Sequence, residues 1–188
     1  MKIRCKWASS NPELATYHDE EWGVPILDDN MLFEHLSLGG AQAGLSWLTV
    51  LKRREGYRRA FASFDAEVVS RYSEKKIEKL LLDPGIIRNR LKVQSVVHNA
   101  DHVKEIVKEY GSLEKYLWQF TRGKTIHNAW KSESDLPVST LESDAMSKDL
   151  NKRGFKFTGT TICYAFMQAV GMVNDHTIDC FRYKELNT

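Results

Sequence analysis

Apolar positions along this chain recur at helical spacing. From Ile86 onward, Val93, Val96, Val97, Ala100, Val103 and Val107 keep an i, i+3, i+4 rhythm, the stripe that one buried helix face requires. Asn11 before Pro12 has the form of an N-cap and first helical position leading into ELATYHDEEW. Ser73 predicts a helix start for EKKIEKLLL, which Asp83, Pro84 and Gly85 stop. Ser139 and Glu142 stand at capping-box spacing and predict a helix through Leu150 that ends before Gly154. The run TTICYAFMQAVGM (160–172) is apolar with small residues, which places its helix in the core. No alternating stretch is long enough to predict a strand, and there is no repeat or linker. The pattern predicts an all-α protein, one compact bilobal unit over residues 1–188.

The joint LLLDPGIIRNRLK (80–92) stands out, because only a tight Pro-Gly turn separates two helical patterns. Such a turn exposes the first N–H groups of the next helix, which can hold a phosphate oxygen. It also reads as a plain helical hairpin with no ligand.

Composition narrows the classes. At 188 residues, with 42% hydrophobic and 28% charged positions, the chain has the make-up of a soluble globular protein. No apolar run approaches a membrane span and MKIRCKWASSNPE lacks a secretion signal, so the cytoplasm is the expected location. The net charge of +2 (27 basic minus 25 acidic) makes no global positive field. Basic runs at 51–59, 87–92 and 151–156 nevertheless leave two readings open, a local basic face or solvated helix surfaces.

Two groups of residues could carry chemistry. Cys5 and His18 lie near one end of the chain, and His176 and Cys180 near the other, the latter pair spaced so that one helical turn would aim both at one point. Two cysteines and two histidines suit a closed, structural tetrahedral zinc site, although the spacing alone equally allows four unrelated residues. Trp7, Tyr17, Trp22 and Trp47 crowd the first quarter, and that region holds three of the five tryptophans. Aromatics in such a group can be core. Beside the glycines of EEWG and GLSW they can instead line a slot for something flat, such as a nucleobase.

Taken together, RCKW (4–7), YHDEEWGVP (17–25), QAGLSWLTVLKRRE (42–55), GIIRNRLK (85–92), KRGFKFTGTTICYAFMQAVGMVNDH (152–176) and Cys180 closely resemble the bacterial 3-methyladenine DNA glycosylase I family, in order and over nearly the whole chain. The resemblance implies a helix-hairpin-helix fold, with the hairpin within about 73–107 gripping DNA. It implies that Cys5, His18, His176 and Cys180 hold one structural Zn2+, which joins the terminal segments. It assigns Trp7, Leu14, Tyr17, Trp22 and Trp47 to the base pocket, with Tyr17 also a candidate catalytic group. It assigns Gln42, Gly44, Leu45, Gly85, Ile86, Arg88 and Lys92 to DNA binding, Leu45 in the region that fills the space left by a flipped nucleotide. The implied activity is hydrolysis of the N-glycosidic bond of 3-methyladenine in alkylated double-stranded DNA, without strand cleavage and with 3-methyladenine as product. A monomer is expected.

One departure cuts across this. The family pattern carries glutamate at the second position of the opening stretch, and here that position is Gly39 in LGGAQAGLSW. Leu14 is a milder departure, where the family often carries an aromatic residue. Three readings follow from Gly39: a glycosylase with altered selectivity, a lesion-binding module with little turnover, or a repurposed pocket in which Asp19 or Glu21 supplies the carboxylate.

Overall fold

The computed structural model describes residues 2–187. Among these, eleven α-helices form the body: α1 (Pro12–Glu20), α2 (Asp29–Gln42), α3 (Trp47–Leu51), α4 (Arg54–Ala60), α5 (Ala66–Val69), α6 (Glu74–Leu80), α7 (Arg90–Tyr110), α8 (Leu113–Trp118), α9 (Leu141–Lys152), α10 (Thr160–Ala169) and α11 (Phe181–Glu185). Mostly helical architecture therefore matches the periodicity. A minor addition is a parallel pairing of β1 (Ile126–His127) with β2 (Val173–Asn174), too short for any alternation to announce it.

α2 is the central element. Asp28 caps it, accepting from the Met31 N–H at 2.9 Å. Every residue from Leu32 to Leu38 is buried, because α10, α7 and α8 all pack around it. At its end Gly40 lets the Phe157 Cβ come within 3.0 Å of where a Cβ of its own would sit, so this helix end packs closely on the segment before α10. The large core centres on Phe33, Tyr57, Phe61 and Phe64. A smaller apolar cluster of Cys5, Tyr17, Trp22 and Cys180 joins the two terminal regions, and Trp47 packs against both clusters.

The Asn11 and Ser73 caps form as the sequence predicts. The box at α9 is shifted: Thr140 and Ser143, rather than Ser139 and Glu142, exchange the capping bonds. The register that buries Met146 and Leu150 brings Ser143 onto the same inward face, where its hydroxyl also reaches Thr160. The α6–α7 joint is longer than a tight turn and spans residues 81–89, because Asn89 rather than the Pro-Gly pair caps α7. Ile86 turns inward and is 2% exposed, which ties this connection into the core.

Candidate functional site

Cys5, His18, His176 and Cys180 converge, all buried, with their ligand atoms within 4.8 Å of one another. The His176–Cys180 segment does so through a turn closed by Cys180 N–H to Thr177 carbonyl at 2.8 Å, and not through the expected helical turn. His18 Nδ1 stands 2.9 Å from an Asp19 carboxylate oxygen, and His176 Nε2 stands 3.1 Å from the Trp22 carbonyl. Both partners accept, so these nitrogens carry the protons and the opposite nitrogens turn bare lone pairs inward. Those lone pairs face each other at 3.2 Å, with Cys180 Sγ 3.4 and 3.5 Å away. Hydrogen bonding between the two sulfurs pulls the Cys180 thiol down and pushes the Cys5 thiol up. Two inward lone pairs and two buried cysteine sulfurs around one point are a donor set that a soft-to-borderline cation satisfies.

Next to this cluster lies a pocket of about 250 Å³. Trp7, Tyr17, Trp22 and Trp47 line it, so the sequence's aromatic group is one wall and not four unrelated core residues. Trp7 meets Trp22 edge-on at 5.1 Å, and Tyr17 tilts against Trp47 at 5.3 Å. Burial pushes the Tyr17 hydroxyl well up, which keeps it a neutral donor. Gly39 lies on the wall too, and a Cβ there would meet only Ile162, at an ordinary 3.5 Å.

Several assigned residues sit elsewhere. Leu14 is half-buried and is not among the lining residues, whereas Gln42, assigned to DNA, lines the pocket. Asp19 is held by Arg4 and His18, and Glu21 by Arg54, so neither acid enters the pocket and the repurposed-carboxylate reading fails. Lys92 is tied to backbone: its Nζ donates to the Ala41 and Ala43 carbonyls at 2.8 and 2.6 Å, closing the C-terminal end of α2. The Gly85 and Ile86 amides both donate to Asp83, at 2.7 and 3.4 Å, so the sharp turn itself occupies them. Gly44, Leu45 and Arg88 are exposed, and Gly44 (φ +76°) has nothing within 4 Å of where a Cβ would sit.

Several arginines of the basic runs are paired with acids. Arg54 bridges Glu34 and Glu21, Arg58 holds Glu34 and Glu55, Arg90 holds Glu74 and Glu78, and Arg153 holds Glu109 and Asp149. Self-paired helix surfaces therefore account for part of what reads as local positive charge.

Sequence reasoning missed His35, Leu136, Ala165, Phe166, Gln168 and Ala169, which complete the lining. Helical spacing holds the signal for most of them: His35 is four residues before Gly39, and Ala165 four before Ala169. Leu136 comes from an irregular segment and had none. Gln168 is oriented by Asp175, a buried acid that also accepts from Asn128, Trp130 and Tyr164.

The described residues thus form a helical body with an aromatic slot, and the exposed Gly44 and Leu45 lie in the chain between two of its lining residues, Gln42 and Trp47, an arrangement suited to a flat ring. Residues 7–183 match the family model described as methyladenine glycosylase. The chain belongs to that family. It is 47% identical to DNA-3-methyladenine glycosylase 1 of Escherichia coli K12 over 96% of each chain, and 42% identical to DNA-3-methyladenine glycosylase of Haemophilus influenzae over 96% of this chain and 97% of that one. A solved structure concerned with 3-methyladenine recognition by 3-methyladenine DNA glycosylase I of Staphylococcus aureus superposes with a TM-score of 0.92 at 35% identity, covering 95% of each chain.

Proposed function

We propose that this protein is a DNA-3-methyladenine glycosylase: it hydrolyses the N-glycosidic bond of 3-methyladenine in alkylated double-stranded DNA after turning the nucleotide out of the helix. The observation that carries the reading is the pocket walled by Trp7, Tyr17, Trp22 and Trp47, in a chain 47% identical to an enzyme of that name. A poorly stacked, damaged base costs less to extrude. N3 methylation leaves the base cationic and a good leaving group, so the pocket has little proton transfer to perform. Aromatic faces attract such a cation more than they attract normal adenine, and they shield the developing sugar cation from indiscriminate attack. No lysine is among the lining residues described, in keeping with hydrolysis without a Schiff base or strand cleavage. The relatives are named glycosylases, which lends no support to the alternative of a lesion-binding module.

The residues 81–89 connection between α6 and α7 serves in this reading as a DNA-gripping hairpin, with Arg88 as a cation that has no ion pair among the described residues, and Leu45 fills the vacated stack. The donor set of Cys5, His18, His176 and Cys180 would hold one structural zinc: bonds of about 2.3 Å to sulfur and 2.0 Å to nitrogen at tetrahedral angles separate N from N by about 3.3 Å and N from S by about 3.5 Å. The separations among His18, His176 and Cys180, and between Cys5 and His176, are 3.2 to 3.7 Å and suit it. The ion's contribution there is to fasten residues from the two ends of the chain behind the pocket. The protein works as a monomer in the cytoplasm.

The test is release of free methylated base from alkylated duplex, comparing the chain with its Gly39→Glu variant. Both are expected to release 3-methyladenine. The variant, with room for the side chain, gains roughly one to two powers of ten from a charge-assisted contact. Release by the variant alone would mean that the native chain only binds.

A further inference from the structure

His35 lies one helical turn before Gly39 on α2 and lines the same pocket. It is 3% exposed, and its Nδ1 has no hydrogen-bond partner among the described residues. The other ring nitrogen, Nε2, faces Arg54 Nη2 at 3.4 Å. A guanidinium can only donate, so Nε2 is the accepting nitrogen and the ring proton resides on Nδ1. A buried N–H without a partner is costly, and such groups in native proteins call for a reason. Gly39, four residues on, has no side chain to cover it or pair with it. Trp47, another lining residue, also carries a buried N–H with no partner.

We propose that His35 Nδ1–H is the base-reading donor of this pocket, selecting a methylated purine that presents an acceptor, either a bare ring nitrogen or a 6-oxo oxygen. A carboxylate at position 39 would instead demand a donor such as a 6-amino group. The polarity of recognition is therefore the reverse of that in a glutamate-bearing pocket. The inference rests on the slot being the base site, as proposed above. Burial first, and then the Arg54 charge, push the imidazole down to about 4, so a cationic base meets a neutral ring.

The experiment titrates free 3-methyladenine into the full chain and follows tryptophan fluorescence, for the native protein, His35→Asn and His35→Leu. Asparagine puts an amide donor close to the place of Nδ1, whereas leucine fills space without one. Native and His35→Asn proteins are expected to bind within about threefold of each other, and His35→Leu about tenfold more weakly. Equal binding by His35→Leu overturns the inference, as does His35→Asn binding as poorly as His35→Leu, or no binding by the native chain. If the leucine variant does not fold, the native protein alone decides: the His35 Nδ1 proton resonance shifts when 3-methyladenine is added, and an unmoved resonance overturns the inference. Binding needs no turnover, so base release measured in parallel separates the two readings. Native binding through His35 without release contradicts only the hydrolase, and release undiminished in His35→Leu contradicts only the role of His35.

Discussion

The carbonyl oxygen of Gly85 stands 2.0 Å from where a Cβ on Gly56 would lie, so α4 and the α6–α7 connection meet backbone against backbone. No side chain fits between them. Gly56→Ala must push the connection outward, with an expected loss of about 1–3 kcal/mol of stability in urea denaturation and weaker binding to duplex DNA. Unchanged stability and affinity would mean that this connection can move without consequence.

Metal analysis of the purified protein is expected to give one zinc per chain, and Cys180→Ser to abolish it. Asp19→Ala, which removes the acceptor from His18 Nδ1, should weaken zinc retention about 10- to 100-fold in chelator competition while leaving all four ligands in place. Full retention by both variants would count against the zinc reading.

Acid sensitivity follows from buried groups on α2. His35 is faced by Arg54, Arg58 and Glu34, and its value of about 4 lies below the ordinary 6.5. Between those pH values the unfolded chain binds a proton that the folded chain does not. Stability is therefore full above pH 6.5 and falls as pH drops toward 4, by up to about 3 kcal/mol from this residue, and His35→Leu should flatten that part of the curve. Burial works against the Glu34 carboxylate, but Arg58 and Arg54 outweigh it and hold the carboxyl below its usual 4.5. Its contribution is present above that pH and is lost as pH falls through the lower folded value. Denaturation followed between pH 4 and 7.5 checks the His35 part.

Lys92 separates a structural role from a DNA contact. With its ammonium bound to the Ala41 and Ala43 carbonyls, Lys92→Met is expected to cost about 1.5–3 kcal/mol of stability while leaving the salt dependence of duplex binding nearly unchanged. Arg88→Ala should do the opposite, reducing the salt slope by about one unit without loss of stability.

Local signals in the sequence located the parts of this protein governed by short-range physics. Asn11 and Ser73 cap their helices because capping depends on neighbours two or three residues away, and the valine stripe of α7 faces the core because spacing alone sets a helix face. The aromatic wall and the buried cluster of Cys5, His18, His176 and Cys180 were legible through residue type and family likeness. What stayed hidden depended on long-range partners: Arg54 and Arg58 read as surface charge until Glu34 and Glu21 meet them, and Lys92 reads as a phosphate ligand until the end of α2 arrives beside it. His35 was hidden for a third reason, since its role comes from a side chain that Gly39 lacks.

Release of 3-methyladenine from methylated duplex DNA, quantified by chromatography of the freed base, tests the central claim most directly. The native chain, with Gly39 in place and zinc bound, is expected to release 3-methyladenine with the sugar-phosphate backbone left uncut. Intact methylated DNA after prolonged incubation with folded, zinc-loaded protein would contradict it.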